Sequence, residues 1–145
     1  MKRAFSVFLI VIVLGVMCHP VTAEASGETD IIALMNEARA EQGLGEVVAD
    51  AALESAALTR AKECAVKFSH TRPDGNAWYT VSEQTRGENL AHAVNSNQSK
   101  PENVVLAWLL SPAHKANVLR QTFTSVGIAS YTGENGETYI VCEFR

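Results

Sequence analysis

The stretch Ser125-Val126-Gly127-Ile128-Ala129-Ser130-Tyr131, followed after Gly133-Glu134-Asn135-Gly136 by Thr138-Tyr139-Ile140-Val141-Cys142-Glu143-Phe144, decides the fold. Two strand-like runs joined by a short, glycine-bounded turn read as a β-hairpin. Alternation along the second run puts Ile140, Cys142 and Phe144 on one face, which needs a covering layer. The preceding sequence supplies helices. Ile31, Leu34, Met35 and Ala38 keep the i, i+3, i+4, i+7 spacing of an amphipathic helix that ends at Gly43. Asp50 is placed to cap a second helix whose inward stripe reads Leu53, Ala57, Ala61, Cys64 and Phe68, with Arg60 and the other charged residues mostly off that stripe. Ser99-Lys100-Pro101-Glu102 has capping-box spacing and opens a third helix through Val104, Val105, Trp108 and Leu109. Ser111-Pro112 stops that helix and starts a short turn, with Ser111 as its cap and His114 near its beginning. Between Ser69 and Asn97 the periodicity dissolves, and the segment reads as loop, the usual setting for functional groups.

The N-terminus carries an address. Met1-Lys2-Arg3, an apolar or small run from Ala4 to Cys18, and Val21-Thr22-Ala23 form the pattern of a secretory signal peptide over residues 1–23, cut after Ala23. Residues 24–145 then make a single secreted domain, expected to be monomeric and without a membrane span. Removing Lys2 and Arg3 from twelve basic residues leaves ten against sixteen acidic ones, a net charge of −6. Those ten are scattered, which argues against nucleic acid, where clustered cations must displace counterions. The acidic balance also disfavours anionic lipid surfaces. Cys64 and Cys142 both fall on core-facing positions. They read either as two buried thiols or as a disulfide closing 77 intervening residues, which in the chain-entropy account stabilises by about 4 kcal/mol.

Three histidines follow the signal segment, His70, His92 and His114, and Glu88 lies between the first and the last in a glycine-preceded turn. A His, Glu, His set brought together in space is a divalent-metal donor set, although no His-Glu-x-x-His or Cys-x-x-Cys spacing is present. Ser69 beside His70, and Ser111 three before His114, do not make the hydrogen-bonded chain of nucleophile, base and orienter that acyl transfer needs. Cys64, on an apolar helix face, lacks a cation that would lower its thiol pKa.

Phe68-Ser69-His70-Thr71-Arg72-Pro73-Asp74-Gly75, Gly87-Glu88-Asn89-Leu90-Ala91 and Trp108-Leu109-Leu110-Ser111-Pro112-Ala113-His114-Lys115-Ala116-Asn117-Val118-Leu119 together resemble the bacterial branch of the CAP superfamily (cysteine-rich secretory proteins, antigen 5 and pathogenesis-related 1 proteins; the SCP domain). Met35-Asn36-Glu37-Ala38-Arg39 and Phe123-Thr124-Ser125-Val126-Gly127-Ile128 match as well, in order. The resemblance implies an α+β fold, a three-layer α-β-α sandwich with a small, mostly antiparallel central sheet flanked by helices. It also implies a cleft with two histidines and two glutamates that holds a divalent metal in some members. His70, Glu88 and His114 match three of these four positions, and Ser111 stands where Trp-x-x-Glu supplies the second carboxylate. Glu83 and His92 are the substitutes to consider. Two imidazoles and one carboxylate suit Zn²⁺ with an open water position, and Arg72, Asn89, Ser111 and Asn117 are the neighbouring cleft groups.

Two functions are compatible with this reading. One is a secreted, non-enzymatic binding module whose cleft engages a lipid, peptide or cell-surface ligand. The other is a metal-assisted hydrolase with Glu88 as base on a bound water. The first is favoured, because each ligating histidine in a hydrolase needs a fixed orienter and few are visible. The signal-peptide reading predicts a mature N-terminus at Glu24. Intact-mass measurement on exported protein checks it, and an uncleaved species retained by the cell would refute it.

Overall fold

The computed structural model describes residues 27–145, so the signal segment, its cut after Ala23 and Cys18 lie outside the described residues. The elements run α1 (Gly27–Glu41), β1 (Val48–Ala49), α2 (Ala51–Val66), a 3₁₀ turn at Trp78–Val81, β2 (Gly87–Ala93), α3 (Pro101–Leu110), α4 (Pro112–Val118), β3 (Ser125–Thr132) and β4 (Thr138–Phe144). The sheet order is β1-β3-β4-β2, antiparallel except for the short parallel pair of β1 with β3. This is the α+β sandwich expected. Among the described residues no helix is long and apolar enough to cross a membrane.

Strand alternation divides the core in two. Ile140, Cys142 and Phe144 of β4, with Val126 and Ile128 of β3, pack against Ile31 and Met35 of α1 and Val104, Val105 and Trp108 of α3. Val141 and Tyr139, with Leu90 and Ala129, pack on the other face against Ala57, Ala61 and Cys64 of α2. The alanine stripe of α2 lets this helix sit close to the sheet. A Cβ on Gly127 of β3 would fall 2.0 Å from Glu54 N and from the carbonyl carbon of Leu53, so only glycine fits there.

That division corrects the disulfide expectation. Both cysteines are core residues, but Cys64 covers one face of the sheet and Cys142 belongs to the other, and both are free and buried. The sheet itself separates them. Burial pushes the Cys64 thiol up to about 11, outweighing the nearby Arg60 charge, and pushes Cys142 well above the ordinary thiol value, so neither is a ready nucleophile.

Other local expectations are sharpened. Asp50 caps α2 by accepting from the backbone N–H groups of Ala52 and Leu53. Gly43, at φ 68°, closes the end of α1 while Leu44 N–H donates to Arg39 O. The capping box before α3 does not form. Lys100 is the N-cap residue, and the Ser99 hydroxyl donates to Ser96 O inside the preceding turn. Ser111 sits at the N-cap of α4 but makes no side-chain cap bond. Phe68 lies beyond α2, half-exposed, against His92 and Tyr139. The segment read as loop contains β2, a strand along its whole length paired with β4.

Replacing Gly127 by alanine should force α2 away from β3. We expect a loss of about 3 kcal/mol or outright failure to fold, read as a fall in Tm by thermal denaturation. A Tm within a degree of the parent would contradict this packing.

Candidate functional site

Strand β2 carries the site because alternation turns Glu88, Leu90 and His92 toward α2 and turns Asn89 toward the opposite face, where α3 and α4 lie. Its outer carbonyls are capped by side chains. Trp108 Nε1 donates to Leu90 O at 3.0 Å and Asn117 Nδ2 to Glu88 O at 3.3 Å, which protects the sheet edge. Asn89 Nδ2 donates to His114 O at 3.1 Å and Asn89 Oδ1 accepts from Asn117 Nδ2 at 3.0 Å. Asn89 and Asn117 therefore fix the helix that presents His114.

At the centre is a buried guanidinium. Arg60 is fully buried on α2, donating through Nε to Glu88 Oε2 at 2.6 Å and through Nη2 to Glu88 Oε1 at 3.2 Å. Its other donors reach Glu63 Oε2 at 2.7 Å and Ser69 O at 2.7 Å. Burial alone would lower its pKa, and the bonds to Glu88 and Glu63 reverse this and raise it. Arg72 joins from outside, through Glu63 at 2.7 Å, and so buttresses the cluster without facing the cleft.

His70 completes the row, its Nδ1 lying 2.7 Å from Glu88 Oε1. A carboxylate only accepts, so this nitrogen carries the hydrogen and Nε2 is left as the acceptor of the neutral ring. Burial alone would raise the Glu88 pKa, but the hydrogen bonds from His70 and Arg60 outweigh it and hold Glu88 ionised. His114 lines the same cleft as His70 and Glu88, and its pKa is lowered by burial and then by the His70 charge, which favours the neutral ring.

The three predicted residues thus border one cleft, in which His70 and Glu88 are bonded and His114 faces them. The donor set fits a zinc ion poorly. Glu88, its side chain 1% exposed, has both oxygens engaged by Arg60 and His70, leaving two imidazoles where zinc takes three or four protein ligands. Among the described residues no group of three His, Cys, Asp or Glu is placed to hold a metal. Neither substitute carboxylate position helps. His92 is bonded to Glu137 at 2.7 Å and stacked on Tyr139, Glu83 borders a separate hollow with Tyr79, and Ser111 lines an apolar pocket on the far side of His114.

Glu143 was not expected. It pairs in register with Glu88 across β2 and β4 and is fully buried, with Thr85 Oγ1 donating to Oε2 and Oε1 unpartnered. Burial and then the Glu88 charge push it up to about 9, so it is the neutral member of a carboxyl pair. The signal available in the sequence was the unbroken apolar run Tyr139-Ile140-Val141-Cys142 beside it, since a strand buried on both faces hides its polar residues too.

Comparison with known proteins agrees with this architecture. The model of the CAP (cysteine-rich secretory protein) family matches residues 32–144. The chain belongs to the CAP family. It is 32% identical over 109 residues to the Bacillus subtilis (strain 168) protein YkwD, described as uncharacterized, covering 70% of this chain and 41% of YkwD. The chain therefore spans about two-fifths of that relative. An outer surface protein from Borrelia burgdorferi shares the fold at TM-score 0.66 and 22% identity, over 82% of this chain and 93% of that one. An extracellular protein containing an SCP domain from Bacillus anthracis does so at TM-score 0.67 and 21% identity, over 82% of this chain and 40% of that one.

The buried carboxyl pair makes this CAP domain sensitive to alkali. The folded pKa of Glu143 lies above its unfolded value near ~4.3, so the stability tied to its neutral form is complete below that pH and is lost as pH rises toward about 9, at up to ~1.4 kcal/mol per unit. Glu143→Gln should flatten this decline between pH 5 and 8, read by urea unfolding at each pH. Parallel curves for variant and parent would disprove the assignment.

Proposed function

We propose that this CAP-family protein is exported and acts outside the cell as a non-enzymatic binding module through the cleft bordered by His70 and His114. The observation that carries this reading is the engagement of Glu88. Its oxygens accept from Arg60 and His70, and its pKa is held below the ordinary carboxylate range. A base on water must be able to take up a proton, and an ionised, guanidinium-bound, buried carboxylate is a poor one. Its role here is to orient His70. The hydrolase alternative then lacks its base.

The surroundings support binding. The cleft measures about 410 Å³. Beyond His114 lies an apolar pocket of about 500 Å³ lined by Phe68, Leu90, Val104 and Trp108. Volumes of this size suit small ligands or a few residues of a chain. Descriptions of two relatives as an outer surface protein and an extracellular protein agree with export.

Peptidase and esterase assays, with and without added Zn²⁺, are expected to show no turnover above blank. Turnover abolished by Glu88→Gln in a variant that keeps its fold would overturn the proposal in favour of the hydrolase. Metal analysis of protein purified without a histidine tag should find well under one zinc per chain, and stoichiometric zinc lost in His114→Ala would restore a metal centre.

A further inference from the structure

Six arginines lie within residues 27–145, and four of them either pair with a carboxylate or are buried. Arg60, Arg72 and Arg145 reach carboxylates, and Arg39 spends its guanidinium on the carbonyls of Gly45, Val118, Arg120 and Phe123. Arg86 and Arg120 pair with no carboxylate among the described residues, and both border the His70–His114 cleft. In a chain with sixteen acidic and twelve basic residues, two guanidiniums without a carboxylate partner meet at one cleft.

Both heads are partly organised. Arg86 Nη1 donates to Glu83 O at 2.7 Å and Thr85 O at 2.8 Å, and the Arg120 guanidinium lies 5.1 Å from the centre of the Phe123 ring. Holding them in advance lowers the ordering cost of binding. The one carboxylate in the cleft wall, Glu88, is already met by Arg60, so it does not cancel their field. His114 borders both this cationic cleft and the apolar pocket, which makes the two compartments neighbours across a single side chain.

Resting on the binding reading above, we infer that the cleft takes a ligand carrying an oxyanion, a carboxylate or a phosphate, beside an apolar group. The oxyanion sits at Arg86 and Arg120, whose planar forks match it, and the apolar group enters the pocket lined by Val104 and Trp108.

Three probes with a common apolar body test this: 3-phenylpropionate, 3-phenylpropyl phosphate and the neutral 3-phenylpropionamide, titrated into ¹⁵N-labelled protein. At least one anionic probe should shift the signals of His114 and of Trp78, which also borders the cleft, and bind at least tenfold more tightly than the amide, and the stronger of the two identifies the oxyanion. That advantage should shrink in added NaCl. It should also disappear in the double variant Arg86→Gln, Arg120→Gln, while amide binding and Tm stay unchanged because both residues are exposed. Equal affinity for acid, phosphate and amide would overturn the oxyanion site and leave the binding module intact. Shifts confined to other surfaces, or none from any probe, would also overturn it. Failure of the binding reading itself shows separately, as turnover that depends on Glu88.

Discussion

The contact between Arg60 and Glu88 governs the rest of this structure. It joins α2 to β2 across the sheet face at 2.6 Å with both side chains removed from water. Taking a cation and an anion out of water is costly, and their attraction repays that cost only if every remaining donor and acceptor is used. Here most are used: four of the five Arg60 N–H groups are bonded, to Glu88, Glu63 and Ser69 O, and Glu88 also accepts from His70. Breaking such a pair by removing one partner typically costs about 3–5 kcal/mol, because the survivor is left charged and unpaired.

The same contact sets the chemistry of the cleft. A carboxylate engaged by a guanidinium is held ionised, and through its second contact Glu88 orients the ring of His70. Glu143, buried and in register with the ionised Glu88, resolves the excess negative charge by keeping its proton. Asn89 and Asn117 perform the corresponding service for His114 by tying α4 to the edge strand. The two histidines are thus held from opposite sides of β2, one by ions and one by amides.

Much of this was legible in the residues. The hairpin of β3 and β4 followed from alternation around a glycine-bounded turn, and the Asp50 cap of α2 from a short polar residue before an alanine-rich amphipathic run. Strand β2 was not legible, because Gly-Glu-Asn-Leu-Ala-His-Ala has weak strand preference and becomes extended only by pairing with β4 and by the side-chain donors of Trp108 and Asn117. Arg60 reads as a solvent-facing charge, although it lies seven after Leu53 and four before Cys64 and so occupies a position on the inward stripe. Its partner lies 28 residues away, and local pattern carries no information about such a contact.

The sequence by itself determined the helices, the closing hairpin of β3 and β4, the apolar residues facing the core, and the motifs of the CAP family that contain His70, Glu88 and His114, because periodicity and short-range caps act within a few residues. Only the tertiary structure decided which face each buried group meets. Cys64 and Cys142 are both core residues, yet the sheet stands between them. Glu88 meets Arg60, 28 residues away, and Arg86 and Arg120, far apart in the chain, border one cleft. The physical reason is that burial and charge pairing are properties of space, fixed when the layers close and not before.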